Sequence, residues 1–179
     1  MPRSGRARPA SSRPKAAGIV SSSHLVSPKS VELSELEFGL IVAWNAFSRW
    51  AVRCMAAAGC PELTITDVLV LHHINHRARN KRLGDICFVL NYEDAHVVAY
   101  SLKKLVAAGL AQGLRQGKEV FYSPTAAGEA AVQKYREVRE SCLVANLDVE
   151  RNQDIGELAR LLRTMSGLYD QAARAATSL

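Results

Sequence analysis

The sequence predicts a mainly α-helical fold that carries one small β-hairpin. Three features point to it. Apolar residues recur every three or four positions through most of residues 34–176. Two short helical patterns, 83–90 and 95–108, are joined by a tight turn at Asn91. Two short β-prone runs, 110–114 and 119–123, flank Arg115-Gln116-Gly117-Lys118, a hairpin loop with glycine inside it.

The first helix is expected over residues 34–58, where Leu36, Leu40, Trp44, Phe47, Ala51, Cys54 and Ala58 mark one wide face before Gly59 and Pro61 stop it. Thr64 or Thr66 is the N-cap of a second helix that turns Val68, Leu71 and Ile74 inward. That helix runs out in the basic stretch 77–82. The third helix, 83–90, places Leu83, Ile86, Cys87 and Leu90 on one side, and Asn91 tolerates the left-handed turn that follows. Asp94 caps the fourth, whose Val98, Leu102 and Leu105 are spaced for burial and whose end is set by Gly109. A helix-turn-helix followed at once by a basic hairpin is the layout of a winged helix-turn-helix domain. Two more helices are expected at 126–145 and 153–176. The last has Ile155, Leu158, Leu162, Met165, Tyr169, Ala172 and Ala176 at alternating spacings of three and four, a heptad-type seam. With the long first helix this is more apolar surface than a small domain covers, so a second copy of the chain is the expected cover. Packing of the two helices on each other within one chain is the alternative.

Composition excludes a wholly disordered chain, since 48% of residues are hydrophobic and only 22% charged. The formal charge of +6 is unevenly placed. Residues 1–30 hold Arg3, Arg6, Arg8, Arg13, Lys15 and Lys29 and no acid, so the remainder of the chain is neutral. The first thirty residues are read as a disordered basic arm, either simply solvated or touching phosphates nonspecifically. Within the remainder, residues 71–118 form a basic island with eight basic side chains against three acidic ones. Net charge alone therefore gives no ground for nucleic-acid binding, but its local distribution does. Four cysteines without a CxxC spacing suggest reduced thiols and a cytoplasmic protein. No run approaches the roughly 18 apolar residues of a membrane helix. The start of the chain lacks the apolar core of a secretory signal, and Pro2, Pro9 and Pro14 spoil the helix of an organelle presequence.

The ordered set of elements resembles the multiple antibiotic resistance regulator (MarR) family of bacterial transcription factors over about residues 35–176. Its carriers are LTITDVLVLHHI (63–74), DICFVLNYEDAHVVAYSLKKLVAAGL (85–110) and EVFYSPTAAGEAAV (119–132), the last ending in Thr-x-x-Gly at the opening of a helix. The resemblance implies a homodimer that reads double-stranded DNA with one helix in the major groove and the wing at the flanking minor groove. The corresponding recognition-helix positions are Ala95, His96, Val97, Ala99, Tyr100, Lys103 and Lys104; the wing positions are Arg115, Gln116 and Lys118. Arg79, Lys81 and Arg82 are expected on phosphates. Leu36, Leu40, Trp44, Phe47, Ile155, Leu158, Leu162, Met165 and Tyr169 are expected in the dimer interface. On this reading residues 63–124 bind DNA, while 31–62 and 125–179 dimerise. Where the family often has serine, threonine and arginine, this chain has His96, Val97 and Tyr100, which donate single hydrogen bonds or touch a thymine methyl but cannot grip guanine bidentately. The family's Asp-x-Arg wing signature is replaced by a shorter tip. Effector-binding members hold small anions or phenols between their first two helices and the DNA-binding lobe, so a small-molecule effector bordered by Trp44, Trp50 and His72 is a further implication. No cofactor is expected.

His72 and His76, four residues apart, are candidate metal ligands if a helix presents them together. A stable site needs more ligands than the local sequence offers, so half-buried or surface histidines are the plainer reading, with a zinc sensor as the alternative. Cys60, beside Pro61, is the one loop thiol and so the candidate for an exposed cysteine. None of GxSxG, a P-loop, HExxH or a glycine-rich dinucleotide turn is present, so an enzyme is not expected. A winged-helix interaction module without DNA binding is the remaining competitor, motivated by the unusual recognition positions.

Overall fold

The structure, a computed structural model, describes residues 27–179. Most of the basic arm lies outside the described residues. Its last four positions, 27–30, form a turn closed by the Ser30 N–H donating to Ser27 O at 3.1 Å. The described residues fall into two compact units, the first ending at Trp50 and the second running from Ala51 to Leu179. Most of helix α1 (Val31–Ala57) belongs to the first, where it shows Phe38, Ile41, Val42, Trp44 and Phe47 to solvent. Trp44 and Phe47 pack in a tilted pair with ring centroids 6.1 Å apart.

In the second unit the order is α2 (Ile65–Asn75), β1 (Lys81–Arg82), α3 (Leu83–Leu90), α4 (Ala95–Ala107), β2 (Ala111–Gln116), β3 (Glu119–Pro124), α5 (Ala126–Cys142) and α6 (Asn152–Ala176). The three strands form an antiparallel sheet in the order β1-β3-β2. Ala51, Met55, Val68, Leu71, Ile74, Ile86, Val98, Leu102 and Leu105 form its fully enclosed apolar core. The predicted inward positions of α2, α3 and α4 are all buried or half-buried, because each helix has one apolar stripe at the helical period.

Three helix ends share one solution to their unpaired carbonyls. After α1 the Cys60 N–H reaches Met55 O at 3.1 Å, after α3 the Tyr92 N–H reaches Cys87 O at 2.9 Å, and after α4 the Leu110 N–H reaches Leu105 O at 2.9 Å. Each bond spans a residue of positive φ, Gly59, Asn91 and Gly109 respectively, as the Schellman geometry requires. These caps fix the turns that aim α4. The N-terminus of α2 is fixed by a reciprocal box in which Asp67 accepts from the Thr64 N–H at 2.8 Å while Thr64 Oγ1 accepts from the Asp67 N–H.

The Thr-x-x-Gly segment has a similar job at α5. Thr125 Oγ1 donates to Gly109 O at 2.6 Å and accepts from the Gly128 N–H at 3.1 Å, while the Thr125 N–H donates to Leu110 O. Two of these bonds fasten the start of α5 to the end of α4, and the bond from Gly128 caps α5 itself. A Cβ at Gly128 would overlap the Leu110 carbonyl, which is main chain and cannot swing aside. Gly128→Ala is expected to cost roughly 1–3 kcal/mol of unfolding free energy through overpacking, read from urea midpoints at unchanged m-value.

Two expectations change. The hairpin is tighter than a four-residue loop, since the ladder continues through Arg115↔Val120 and Gln116↔Glu119 and leaves only Gly117-Lys118 at the tip. Gly117 has a φ of 62°, which suits the first central position of a two-residue turn whose twist matches the strands. The basic stretch also contains a strand: Lys81 pairs with Tyr122 and Arg82 with Phe121, so β1 closes the sheet on the side away from β2.

Candidate nucleic-acid interface

Helix α4 is held from both ends and from below. Asp94 Oδ1 accepts from the His96 N–H at 2.8 Å at its start, and the Tyr92 hydroxyl meets Thr66 Oγ1 at 3.2 Å just before it. Val98, Ser101, Leu102 and Leu105 are buried beneath, with Ala99 half-buried. This leaves Ala95, His96, Val97, Tyr100 and Lys103 on the outer face. Tyr100 is 72% exposed, so it does not rest on the domain surface, and its ring and hydroxyl are both presented outward. Beside this face a shallow groove of about 390 Å³ runs to the start of α2, with Thr64 and Thr66 opposite His96, Val97 and Tyr100.

Lys104, grouped with the DNA-facing residues on sequence, is turned back into the fold. Its Nζ lies 2.6 Å from Asp67 Oδ2 and 2.7 Å from Glu62 O, an ion pair whose carboxylate is almost wholly buried. Burial pushes the Asp67 carboxyl upward, but hydrogen bonds from Lys104 and from the Thr64 N–H and hydroxyl outweigh it and hold the group below the usual carboxylate range. Lys104 therefore sets the position of α4 against α2.

The wing carries Arg115, Gln116 and Lys118, all exposed. Neither these two cations nor Lys103 has an ion-pair partner among the described residues. Arg82 differs. Its guanidinium bonds Asp85 and Glu119, each at 3.1 Å, which ties β1 to the first residue of β3 and braces the base of the wing. Lys81 Nζ donates to the main-chain oxygens of His76 and Arg79. Of the three residues expected on phosphates from the basic stretch, Arg79 alone is exposed with no hydrogen bond of its guanidinium to the fold.

The two histidines do not share a helix face. The helical geometry of α2 ends at Asn75, and His76 is extended, with a ψ of 127°. His72 is half-buried with its ring 4.4 Å from that of Tyr135, edge to face, and burial lowers its pKa. Among the described residues no three His, Cys, Asp or Glu side chains gather where a metal ion would need them. The expectation for the loop thiol is overturned: Cys60 is buried, because the Schellman cap folds it under the end of α1, and burial raises its pKa. The exposed cysteine is Cys142, at the end of α5.

None of the residues of α6 is buried. Ile155 and Leu158 of the expected seam are exposed, Leu162, Met165 and Tyr169 half-buried. Leu161 and Leu168 widen this apolar face beyond the strict seam read from sequence. On α1, Leu36 and Leu40 are half-buried, while Trp44 and Phe47 are open to solvent. Among the described residues no helix is long and apolar enough to cross a membrane.

Residues 63–128 match a family model described as "Winged helix DNA-binding domain". No curated protein matches the chain in sequence. Reduced AbfR of Staphylococcus epidermidis, solved bound to DNA, is 18% identical with a TM-score of 0.64 over 80% of this chain and 99% of its own. A probable transcriptional regulator from Pseudomonas aeruginosa is 24% identical, with a TM-score of 0.53 over 69% of this chain and 96% of its own. NMB1585, a MarR family regulator from Neisseria meningitidis, is 16% identical, with a TM-score of 0.56 over 78% and 97%. Residues 63–128 are therefore similar to a winged helix DNA-binding domain, and the chain has the fold of the MarR family regulator to which it is similar.

Proposed function

We propose that the chain is a dimeric transcriptional regulator of the MarR type, acting in the cytoplasm on double-stranded DNA. The observation that carries this reading is the division among its cations. Lys103 on the outer face of α4 and Arg115 and Lys118 on the wing are exposed without ion-pair partners among the described residues. Lys104 and Arg82 close to them are paired with carboxylates of the same chain. Free cations beside a helix that shows His96, Val97 and Tyr100 suit phosphates flanking a major groove. The winged helix family match and the DNA-bound AbfR structure support the same reading.

The bases are read by His96, Val97, Ala99 and Tyr100, through single hydrogen bonds and apolar contact with thymine methyls. Ala95 lets the N-terminus of the helix approach closely, and Gln116 lies beside the wing tip. Selection of bound duplexes from random DNA is expected to enrich a pseudo-palindrome rich in A·T at the reading positions, with half-sites about one turn, roughly 34 Å, apart. Selection that enriches no sequence, together with a protein partner retained in high salt, would assign the fold to an interaction module.

The dimer is supported by the exposed apolar face of α6, where Ile155, Leu158, Leu161 and Leu168 are each 43–52% exposed. The half-buried Leu162, Met165 and Tyr169 extend the surface of α6 that a second copy covers, and the exposed Trp44 and Phe47 of α1 are further apolar residues for such a cover. Leu158→Glu combined with Met165→Glu is expected to convert the protein to a monomer in sedimentation equilibrium and to abolish binding to a two-half-site duplex. A variant that remains dimeric would place the interface elsewhere.

A further inference from the structure

The end of α2, the strand β1 and helix α3 enclose a groove of about 440 Å³ to which neither α4 nor the wing contributes a residue. Arg77, Arg79 and Lys81 line it, together with His73, His76 and the apolar side chain of Val89. The one carboxylate on its wall, Asp85, is engaged on both oxygens by Arg82, with bonds of 3.1 Å to Oδ1 and to Oδ2. Lys81 is fixed by two main-chain carbonyls, which orient its ammonium without neutralising it. Burial and then the nearby charges of Arg77 and Arg79 lower the Lys81 pKa, so the three cations lie within each other's field. Neither arginine has an ion-pair partner among the described residues. His73, half-buried, lies on the same wall.

The backbone adds an independent observation. Arg77 has a φ of 63° and a ψ of 24°, the left-handed conformation that suits glycine or asparagine after a helix. An arginine is less favourable there than glycine, and this one lines the groove.

We propose that this groove binds a small phosphate-bearing molecule. The doubly charged head sits among Arg77, Arg79 and Lys81, and the body of the ligand lies against Val89. A phosphate monoester carries close to two negative charges at neutral pH and three acceptor oxygens, which matches three unneutralised cations better than a single carboxylate does. The space exceeds a bare phosphate and falls in the range of small-ligand pockets. The same head group occurs in DNA, so the test separates the two sources.

The full chain is compared with an Arg77→Gly variant. Glycine suits the positive φ at position 77, so the variant is expected to melt no lower than the parent. Inorganic phosphate and glycerol 1-phosphate are titrated at constant ionic strength against chloride, with the histidine imidazole NMR signals as the readout. The expected result is a saturable shift of the His73 and His76 signals, at least as strong with the ester, and roughly tenfold weaker binding in the variant. DNA affinity is expected to be equal in the two proteins. A parent that responds to phosphate no more than to chloride, or a variant that binds as tightly as the parent, overturns the proposal. So does a variant that loses DNA affinity while phosphate moves nothing in the parent, which assigns this cation to DNA phosphates.

Discussion

Lys104→Met is expected to lower the unfolding free energy by about 3 kcal/mol at neutral pH, because it leaves a buried carboxylate with no counter-charge. The figure is the low end for a broken buried pair, since Lys104 itself is 29% exposed while the Asp67 side chain is only 3% exposed. The variant keeps the long apolar stem and so removes the charge without opening a cavity. The loss should also depend on pH. In the parent the carboxyl of Asp67 lies below its ordinary value of 3.8, so the stability it contributes is present above that value and disappears as pH falls through the folded pKa. In the variant burial acts without its strongest opposing hydrogen bond, the carboxyl shifts up, and protonation relieves the strain. The gap between the two proteins is therefore expected to narrow as pH falls from 7 toward 4, as measured by urea unfolding at each pH. A gap that stays constant would mean that Lys104 matters through packing alone.

The second large effect concerns DNA. Arg115→Ala with Lys118→Ala is expected to weaken duplex binding by roughly a hundredfold at 0.1 M salt and to flatten its salt dependence. Two cations are lost per chain, four in the proposed dimer, so the slope of log K against log salt should fall by roughly 3–4 units. Arg82→Ala is the internal contrast. Its guanidinium is already held by Asp85 and Glu119, so its removal loosens the wing base while leaving the salt slope nearly unchanged. A cation is thus judged by what holds it in the free protein, and its position in the sequence does not reveal that.

The elements were legible in the sequence because each rests on local rules. Thr64, Asp94 and Thr125 cap helices as side-chain acceptors, and Gly59, Asn91 and Gly109 end them with positive φ. Apolar spacing identified the buried Val68, Leu71, Ile74, Val98, Leu102 and Leu105 for the same reason. What was not legible depends on distant partners. Lys104 meets Asp67 across 37 positions of sequence, and Arg82 meets Glu119 across the same separation, so neither partner shows in a local pattern. The strand β1 is only two residues long and exists through its pairing with Phe121 and Tyr122, which composition cannot signal. The four-residue loop was read too long because Arg115 and Gln116 continue the ladder, which polar residues do on an exposed wing. The pair of histidines looked like a metal site only while the helix was taken to run through His76; Arg77, with its positive φ, marks where it does not.

The central claim is that unpaired cations on α4 and the wing bind duplex phosphates while the recognition helix reads bases. The most direct test is fluorescence-anisotropy titration of a selected duplex by the parent and the Arg115→Ala, Lys118→Ala variant over a range of salt concentrations. Saturable binding with a steep negative slope in the parent, and a slope shallower by roughly 3–4 units in the variant, is the expected result. Equal slopes for the two proteins, or no saturable binding by the parent at low salt, would contradict it.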